Sequence, residues 1–383
     1  MRILVISPGY PPPIVGGLEK QARELNHALV QHADVTIRVL TAGRKLPNRM
    51  DSACEGAIVV SRSPFSIGSR FSLCLHALWT WFQVFSLCRR FDVVHVHGCS
   101  FNGAASAIVA QCRGIPALVK LPNTGFRSPF GRPFTFRKKI LQLLLKRAAC
   151  LVCLSDESVS EVASLVVEPS RIFPVNNGIS LMEFDARIHA QAPCRETTLN
   201  VAFVGRLVPQ KGVEHLLHAW RSVAATGRSI RLKIVGDGPC RRSLTQLCVD
   251  LGIQDSVDFL GHVEDVPGFF ASVDLFVLPS LAEGNSNSLL EALAAALPAI
   301  VTDVGGSKGI LGKDFEEWVV PAGDSNALAN AVRKAVELPA DELERWGKAM
   351  RIRVENEYSI EIIAEKYFCK YRELSDTYGM RRR

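Results

Sequence analysis

Short runs of β-branched and other apolar residues alternate with longer stretches of helical pattern along almost the whole chain. The apolar runs predict strands in both halves. These are Ile3–Ser7, Val35–Leu40, Val93–His97, Ala117–Lys120, Leu151–Leu154, Val201–Val204, Arg231–Val235, Val257–Leu260, Leu275–Leu278 and Ala299–Val301. The helical segments between them include Glu19–Gln31, Arg137–Ala148, Val213–Ala225, Pro239–Leu251 and Ala327–Val336. This alternation is typical of parallel sheets with helices on both faces.

The strand–helix rhythm occurs twice. The break lies at 176–178 and continues as an irregular polar stretch to about Thr198. A chain of 383 residues has room for two domains with a core each. We therefore predict an α/β protein of two doubly wound, Rossmann-like domains, 1–178 and 179–358, with a terminal helix over about 359–383. Because ligands bind open parallel sheets at the carboxyl ends of the strands, we expect the chemistry in a cleft between the domains.

The charge is unevenly distributed along a chain of ordinary globular composition, with 48% hydrophobic and 22% charged residues. Residues 56–155 contain thirteen Lys or Arg and one acid, Asp92, which gives a net charge of +12. The whole chain carries +7, so the remainder sums to −5. This asymmetry indicates an anionic partner for the N-terminal half, and a solvated basic surface is the alternative.

The cysteines and two apolar segments indicate the cellular compartment and how the chain relates to a membrane. Eleven cysteines without metal-type spacing favour a reducing, cytoplasmic compartment, and Cys150 and Cys153 lie in a predicted buried strand. The first apolar run is short and meets a proline cluster at once, so we interpret it as a strand and not as a signal peptide. The segment Phe71–Cys88 has no formal charge, yet its polar residues favour a buried or membrane-surface helix over a membrane span.

The most informative segment for chemistry is 279–293, where an apolar strand leads through a polar loop into a helix rich in Leu and Ala. A polar cap leaves the first backbone N–H groups of such a helix available to a phosphate. The candidate caps are Ser286, Asn287 and Ser288. Glu283 lies in the loop, and Glu291, about one turn into the helix, suits the vicinal hydroxyls of a ribose. An ordinary strand–loop–helix with a capping carboxylate is the alternative.

Two further strand-to-helix turns of the second half carry cations or glycines. Arg206 and Lys211 share one loop, and a guanidinium fork with an ammonium point charge suits a diphosphate. A pair of solvated surface charges is the alternative. The segment 235–239, Val-Gly-Asp-Gly-Pro, lacks the third glycine of the dinucleotide fingerprint, which argues against a nicotinamide dehydrogenase.

The first half offers a glycine pair and a histidine pair. Gly16 and Gly17 follow a proline-rich stretch and allow a backbone to approach a ligand closely. His95 and His97 end a predicted buried strand on the same face, and His97 is nearer the carboxyl end. A structural histidine, satisfied within the fold, is the alternative for His97.

Taken together, these motifs resemble the family-4 retaining glycosyltransferases of the GT-B fold. The matching segments, in family order, are P-P-x-x-G-G-x-E at 12–19, D-V-V-H-V-H-G at 92–98, N-N-G at 176–178, G-R-L-x-x-x-K-G at 205–212, V-G-D-G-P at 235–239, E-G-x-S-N-S-L-L-E-A at 283–292 and L-P-x-I-V-T-D-V-G-G at 297–306. Two positions depart from the family. Ala296 replaces its usual glycine, and Lys120–Gly125 stands where many relatives carry a Thr-x-His-Gly type of loop.

The resemblance implies that the first domain binds the acceptor and receives the C-terminal helix, while the second binds a UDP- or GDP-sugar. Arg206 and Lys211 would neutralise the leaving diphosphate, and Glu291 would hold the ribose. Glu283 would contact the donor sugar, with His97 beside the reacting centre. The remaining donor-site residues would be Gly16, Gly17, Asn285, Ser286, Asn287 and Ser288, with the base near Gly261, His262 and Val263.

The chemistry needs no metal on this interpretation. Breaking the sugar–phosphate bond builds negative charge on the diphosphate, which cations and helix amides stabilise. No Asp-x-Asp follows a strand at the predicted cleft, so we expect neither a metal nor a cofactor beyond the nucleotide-sugar co-substrate. Retention by same-face attack, with the leaving phosphate taking the acceptor's proton, remains a hypothesis, because no nucleophilic carboxylate is evident.

The acceptor is predicted from a basic, aromatic segment. Residues 126–147 contain seven Lys or Arg interleaved with phenylalanines, a pattern that suits a helix lying on anionic lipid. We therefore predict a peripheral enzyme on the inner membrane face, held through Arg127–Arg147 and acting on a lipid-linked acceptor. No nucleic-acid partner is expected, because no nucleic-acid module accompanies the segment. A soluble acceptor, a nucleotide-sugar epimerase of the same fold and a non-catalytic binder are the alternatives.

Overall fold

The chain forms two compact units. The computed structural model describes residues 1–11, 16–43, 53–66, 69–122, 136–164, 168–188 and 198–380. One unit consists of Met1–Gly178 together with Ile360–Arg383, and the other of Ile179–Ser359. The C-terminal helix thus belongs to the N-terminal unit, as predicted.

The first unit is built on an eight-stranded sheet. Numbered in chain order, its strands are β1 (Arg2–Ser7), β2 (Thr36–Gly43), β3 (Ala53–Glu55), β4 (Ile58–Ser66), β5 (Val93–His97), β6 (Ala117–Leu121), β7 (Cys150–Cys153) and β8 (Ile172–Pro174). Their spatial order is β3-β4-β2-β1-β5-β6-β7-β8, and among these described strands only β3 runs antiparallel to its neighbour. Its first helices are α1 (Gly17–Leu29), α2 (Arg70–Leu87), α3 (Phe101–Cys112), α4 (Phe136–Leu145) and α5 (Asp156–Ala163).

The second unit is built on a six-stranded parallel sheet of order β11-β10-β9-β12-β13-β14. Its strands are β9 (Leu199–Val204), β10 (Ile230–Val235), β11 (Val257–Gly261), β12 (Leu275–Leu278), β13 (Ala299–Thr302) and β14 (Val319–Val320). Its helices are α6 (Leu181–Ile188), α7 (Val213–Ala224), α8 (Arg241–Leu251), α9 (Val266–Phe270), α10 (Asn287–Ala294), α11 (Ser307–Leu311), α12 (Ser325–Glu337) and α13 (Ala340–Glu357). The last helix, α14 (Ile360–Met380), belongs to the first unit.

The central strands of the first sheet are buried because helices cover both faces of that sheet. Every residue of β5, β6 and β7 is buried, as expected of parallel strands between two helical layers. One face of the first sheet packs with α1 and α14, which contribute Leu25, Tyr367 and Tyr371 to the core. The opposite face packs with α2, α3 and α4, which contribute Val84 and Ala107, among others.

The structure contains several elements that the sequence pattern did not predict. Strands β3, β8 and β14 are edge strands of only two or three residues, and β4 is a nine-residue strand between β3 and β2 whose second half is mostly polar. The predicted irregular stretch after Gly178 contains the helix α6. This helix forms because Phe184 enters the core of the second unit and Asp185 accepts hydrogen bonds of 2.7 and 2.8 Å from Arg351 on α13.

Ala296 adopts a backbone conformation typical of the glycine that the family usually has at this position. Its φ is 57°, in the left-handed region that favours glycine. The turn is tight, because a Cβ at Gly347 would lie 1.8 Å from the carbonyl oxygen of Ala296. The chain therefore keeps the backbone conformation of this turn without the family's usual glycine.

Candidate functional site

Four loops meet at the carboxyl ends of β9, β10, β12 and β13. Glycines allow the close approach of their backbones. A Cβ at Gly236 (φ 125°) would lie 1.9 Å from the carbonyl oxygen of Gly205, and one at Gly212 (φ 63°) would lie 2.0 Å from that of Pro279. The glycines of two predicted motifs thus join the loops to one another.

The loop after β12 is fixed from the side of β13 as well. A Cβ at Gly305 would lie 2.2 Å from the carbonyl oxygen of Glu283, and the Gly306 N–H donates to the Gly284 carbonyl at 2.9 Å. The Thr302 hydroxyl donates to the Ser280 carbonyl at 2.6 Å. The backbone around Glu283 is therefore held by contacts that do not depend on a ligand.

Lys211 and Glu283, assigned to the donor site from sequence, form an ion pair with each other. Lys211 Nζ lies 2.5 Å from Glu283 Oε1, which also accepts a hydrogen bond of 2.7 Å from the Ser280 hydroxyl. Both charged side chains are largely buried. The carboxylate therefore orients the ammonium, and Ser280, which sequence reasoning missed, helps to orient the carboxylate.

Arg206, the other cation of this loop, differs from Lys211 in its exposure and its pairing. Its side chain is exposed, and within the part of the chain that the structure describes it forms no hydrogen bond or ion pair. It shares the loop after β9 with Lys211. An exposed guanidinium without a partner costs little to redirect towards an anion.

Helix α10 begins in the same loop region. Of the three candidate caps, Ser286 is the N-cap, and its hydroxyl accepts from the Leu289 N–H at 3.4 Å. Asn287 and Ser288 form the first turn, and Asn285 is buried just before it. Glu291 is 8% exposed within the helix. The helix start therefore combines oriented amides with a partly accessible carboxylate.

The predicted base region lies beside these loops. Gly261, which ends β11, accepts a hydrogen bond of 2.6 Å from the Gly236 N–H. His262 is exposed, and Val263 packs against the core of the second unit. Because β11 is separated from β9 by β10, this region is at the sheet edge.

In the first unit, Gly16 and Gly17 begin α1. Gly16 is the N-cap in an extended conformation, and the carboxylate of Glu19 lies within 3.1 Å of the position of a Cβ there. The preceding prolines of this motif, at 12–13, lie outside the described residues. Asn123–Gly125 and the Arg127–Thr135 part of the predicted membrane segment lie outside them as well.

His97 ends β5 and is 1% exposed. Neither of its ring nitrogens has a hydrogen-bond partner among the described residues. Its ring centroid lies 4.1 Å from that of His95, whose Nδ1 is 2.6 Å from the hydroxyl of Tyr371 on α14. Burial, followed by the proximity of His95 and Lys120, lowers the pKa of His97 well below its usual value, so the imidazole is neutral.

Lys120 is a residue of this region whose side chain sequence reasoning missed. It is paired across the strands with His97, is 2% exposed, and donates to Asn177 Oδ1 at 2.8 Å. Beside it, the Gln21 amide both donates to the Gly178 carbonyl and accepts from its N–H. A lysine inside the apolar run of β6 was the available signal.

Comparisons with known proteins identify the family of the chain. Residues 16–178 match the family model described as "Glycosyl transferase 4-like domain", and residues 198–337 match "Glycosyl transferases group 1". Together the two matches cover most of the chain.

Individual relatives are also glycosyltransferases by name. The chain is 28% identical over 344 residues to an uncharacterized glycosyltransferase of Methanocaldococcus jannaschii, covering 84% of this chain and 85% of that protein. It is 27% identical over 256 residues to the UDP-Gal:alpha-D-GlcNAc-diphosphoundecaprenol alpha-1,3-galactosyltransferase of Escherichia coli, covering 63% of this chain and 66% of that protein. Three further relatives are matched over 61%, 56% and 53% of their own length.

Solved structures share the fold. Sucrose-phosphate synthase from Thermosynechococcus elongatus superposes with a TM-score of 0.81 at 21% identity, covering 98% of this chain and 99% of that one. HepE of Anabaena in complex with UDP gives 0.74 at 18% identity, covering 97% and 100%. The fold is therefore of the two-domain GT-B type, and the family matches identify the chain as a glycosyltransferase. The chain belongs to the group 1 glycosyltransferases, with a family-4-like N-terminal domain.

Proposed function

We propose that this glycosyltransferase transfers a sugar, with retention of configuration, from a UDP- or GDP-sugar to a hydroxyl group of a lipid-linked glycan. The observation that carries the donor half of the proposal is the convergence of Arg206, Lys211, Glu283 and the α10 start in the second unit. Cations, oriented amides and carboxylates are the groups that a sugar diphosphate needs. The galactosyltransferase relative from E. coli has a UDP-sugar donor and a diphosphoundecaprenol acceptor by its name.

In the proposed reaction, Arg206 and Lys211 stabilise the diphosphate as it leaves the sugar. The amides after Ser286 contribute to the same task, and Glu291 binds the ribose. Glu283 both orients Lys211 and contacts the donor sugar, and we keep for His97 the sugar contact that the family resemblance implies. The acceptor hydroxyl attacks from the face that the diphosphate leaves, and a phosphate oxygen takes its proton. These residues perform the transfer in the proposal without a metal.

A panel of nucleotide sugars tests the donor. We expect UDP- or GDP-sugars to raise the unfolding temperature of the chain, because a ligand at about 100 times its Kd stabilises by about 2.7 kcal/mol. ADP-sugars serve as the comparison, and the Arg206→Ala/Lys211→Ala variant should lose most of the shift. Stabilisation by no nucleotide sugar would contradict the proposed donor site. Product analysis for free sugar or isomerised nucleotide separates transfer from epimerisation.

The lipid-linked acceptor is supported by a surface on the first unit. The outer face of α2 exposes Phe71, Leu78, Phe82 and Phe85, which recur at helical spacing. The opposite face, with Thr80 among others, is buried. Of the described helices, only Phe71–Arg90 is long and apolar enough by composition to cross a bilayer. The inner face packs in the core, so we infer that the outer face lies on the membrane and that α2 does not span it.

Basic residues complete this surface. Arg89 and Arg90 are exposed at the end of α2, and Lys139, Lys146 and Arg147 are exposed on or after α4. Aromatic and basic groups together favour the surface of an anionic membrane. We propose that α2 and α4 form the membrane-facing surface and hold the enzyme at the inner face as a peripheral protein. A soluble acceptor remains the alternative for this half of the function.

Co-sedimentation with phosphatidylglycerol vesicles tests the membrane surface. We expect Phe71→Ser/Phe82→Ser to weaken vesicle binding about tenfold or more, since each phenylalanine loses roughly 1 kcal/mol of interfacial burial. Binding by the wild type should fall as salt is raised. Ile352→Ser, at an exposed apolar position of the second unit, is the matched control. Absence of wild-type binding at low salt would contradict the membrane proposal.

A further inference from the structure

The side chain of Arg241, the first residue of α8, lies against the backbone at the end of β11. Its Nη1 is 3.1 Å from the position that a Cβ would have at Gly261, and its Nη2 donates to the Phe259 carbonyl oxygen at 3.4 Å. Gly261 has a positive φ of 70°. A side chain at position 261 would crowd the guanidinium, so the glycine leaves room for it.

Gly261 is connected to the loop of Arg206 through the loop that follows β10. The Gly261 carbonyl accepts from the Gly236 N–H at 2.6 Å, and a Cβ at Gly236 would lie 1.9 Å from the Gly205 carbonyl oxygen. Gly205 directly precedes Arg206. Because neighbouring strands are about 4.8 Å apart and only β10 separates β9 from β11, the two loops are roughly 10 Å apart. A nucleotide spans a comparable distance between its diphosphate and its base.

The guanidinium of Arg241 keeps most of its hydrogen-bond donors for a ligand. A guanidinium has five N–H donors and no acceptor. Among the described residues, the side chain of Arg241 makes one hydrogen bond, to Phe259, and no ion pair. Arg231 on β10 differs, because its guanidinium makes two hydrogen bonds of 2.7 Å to the carboxylate of Asp258. Arg241 is therefore a partly buried cation whose place is fixed by backbone contacts and not by an acid.

We infer that Arg241 is a specificity-determining residue, which selects a donor whose base presents a carbonyl oxygen over a donor with adenine. The inference rests on the proposed function, because it requires the base to bind near Gly261. Uracil and guanine each present an exocyclic oxygen that accepts a hydrogen bond from a guanidinium. Adenine has an amino group in place of the guanine oxygen, and two donors cannot form a hydrogen bond with each other.

Titration calorimetry of the full-length protein with UDP, GDP and ADP tests this selection. We expect the wild type to bind UDP or GDP more tightly than ADP. Arg241→Ala should weaken binding of the preferred nucleotide about tenfold and change ADP binding little, because only the preferred base loses a hydrogen bond. Arg241→Gln should narrow the preference further, since a glutamine amide can both donate to and accept from adenine. Arg242→Ala removes the neighbouring exposed cation of the same helix and is the matched control.

A pair of glycine variants tests the position of the guanidinium. Gly261 and Gly252 have almost the same φ, 70° and 69°, so substitution by alanine strains both backbones alike. A Cβ at Gly252 meets nothing within 4 Å, whereas one at Gly261 meets Arg241. We expect Gly261→Ala to reduce the preference over ADP and Gly252→Ala to keep it. The double variant Gly261→Ala/Arg241→Ala should have the same preference as Arg241→Ala, because both changes act through one guanidinium.

The outcomes separate this inference from the proposed function. If Arg241→Ala binds UDP or GDP with the wild-type preference over ADP, the inference is overturned and the proposed donor site stands. An equal loss in Arg242→Ala overturns it as well, because general positive charge and not the contact with Gly261 would then be responsible. A wild type that prefers ADP also contradicts it. Binding of none of the three nucleotides by the wild type would instead refute the proposed donor site, and the inference with it.

Discussion

The double variant Arg206→Ala/Lys211→Ala is expected to transfer sugar at least about 10²-fold more slowly than the wild type. The reason is electrostatic. The leaving diphosphate gains negative charge in the transition state, and these two cations lie on the one loop that follows β9. Steady-state transfer to a lipid-linked acceptor analogue, with saturating donor, gives kcat directly. Lys308→Ala, which removes an exposed cation of the same unit, is the control.

The two single variants should differ in a way that the ion pair explains. Arg206 has an exposed side chain, so Arg206→Ala should lower kcat with little effect on stability. Lys211→Ala leaves the carboxylate of Glu283 buried without its cation and should also destabilise the second unit. The double variant Lys211→Ala/Glu283→Ala should regain part of the stability that Lys211→Ala loses, but none of the activity. Turnover by the double cation variant equal to that of the wild type would refute the assignment of both cations.

Gly236→Ala is expected to destabilise the second unit by about 3 kcal/mol or more, and Gly227→Ala by about 1 kcal/mol. Both glycines have positive φ, 125° and 75°, so both substitutions strain the backbone. They differ in their surroundings. A Cβ at Gly227 meets nothing within 4 Å, whereas one at Gly236 would lie 1.9 Å from the carbonyl oxygen of Gly205. The comparison therefore isolates the cost of separating two loops.

Thermal unfolding of the full chain, followed by intrinsic fluorescence, measures this difference. For a unit of this size, 3 kcal/mol corresponds to a shift of roughly 6–12 °C. Because the displaced loop begins at Gly205, Gly236→Ala should also weaken donor binding through Arg206, whereas Gly227→Ala should leave it unchanged. Equal unfolding temperatures for the two variants would show that the loop contact does not constrain the site.

The strands that carry the site were predictable because they are fully buried. Val93–His97 and Leu275–Leu278 have in the structure the bounds that their apolar runs predict. Parallel strands covered on both faces are mainly apolar along their whole length, which makes their runs easy to recognise. The order of the loop motifs likewise identified the fold, since each motif follows a strand whose place in the sheet the fold determines.

The parts that could not be predicted depend on contacts between distant residues. Helix α6 is stabilised by Arg351, 166 residues further along the chain from Asp185. The pairing of Lys211 with Glu283 joins two motifs that the sequence separates by 72 residues. Lys120 was missed as a buried cation because its partner, Asn177, follows β8, a strand of only three residues. No local pattern encodes such pairs.

The return of α14 to the first unit has a consequence for biosynthesis. Tyr367, Tyr371 and Leu374 belong to the same core as β1 and α1, so that core cannot be completed until the ribosome has released the last helix. The second unit, by contrast, has all of its own residues once Ser359 has emerged. A nascent chain therefore holds its earliest strands without their final cover while the later-made unit folds, and exposed strand surface of this kind is what chaperones bind during translation.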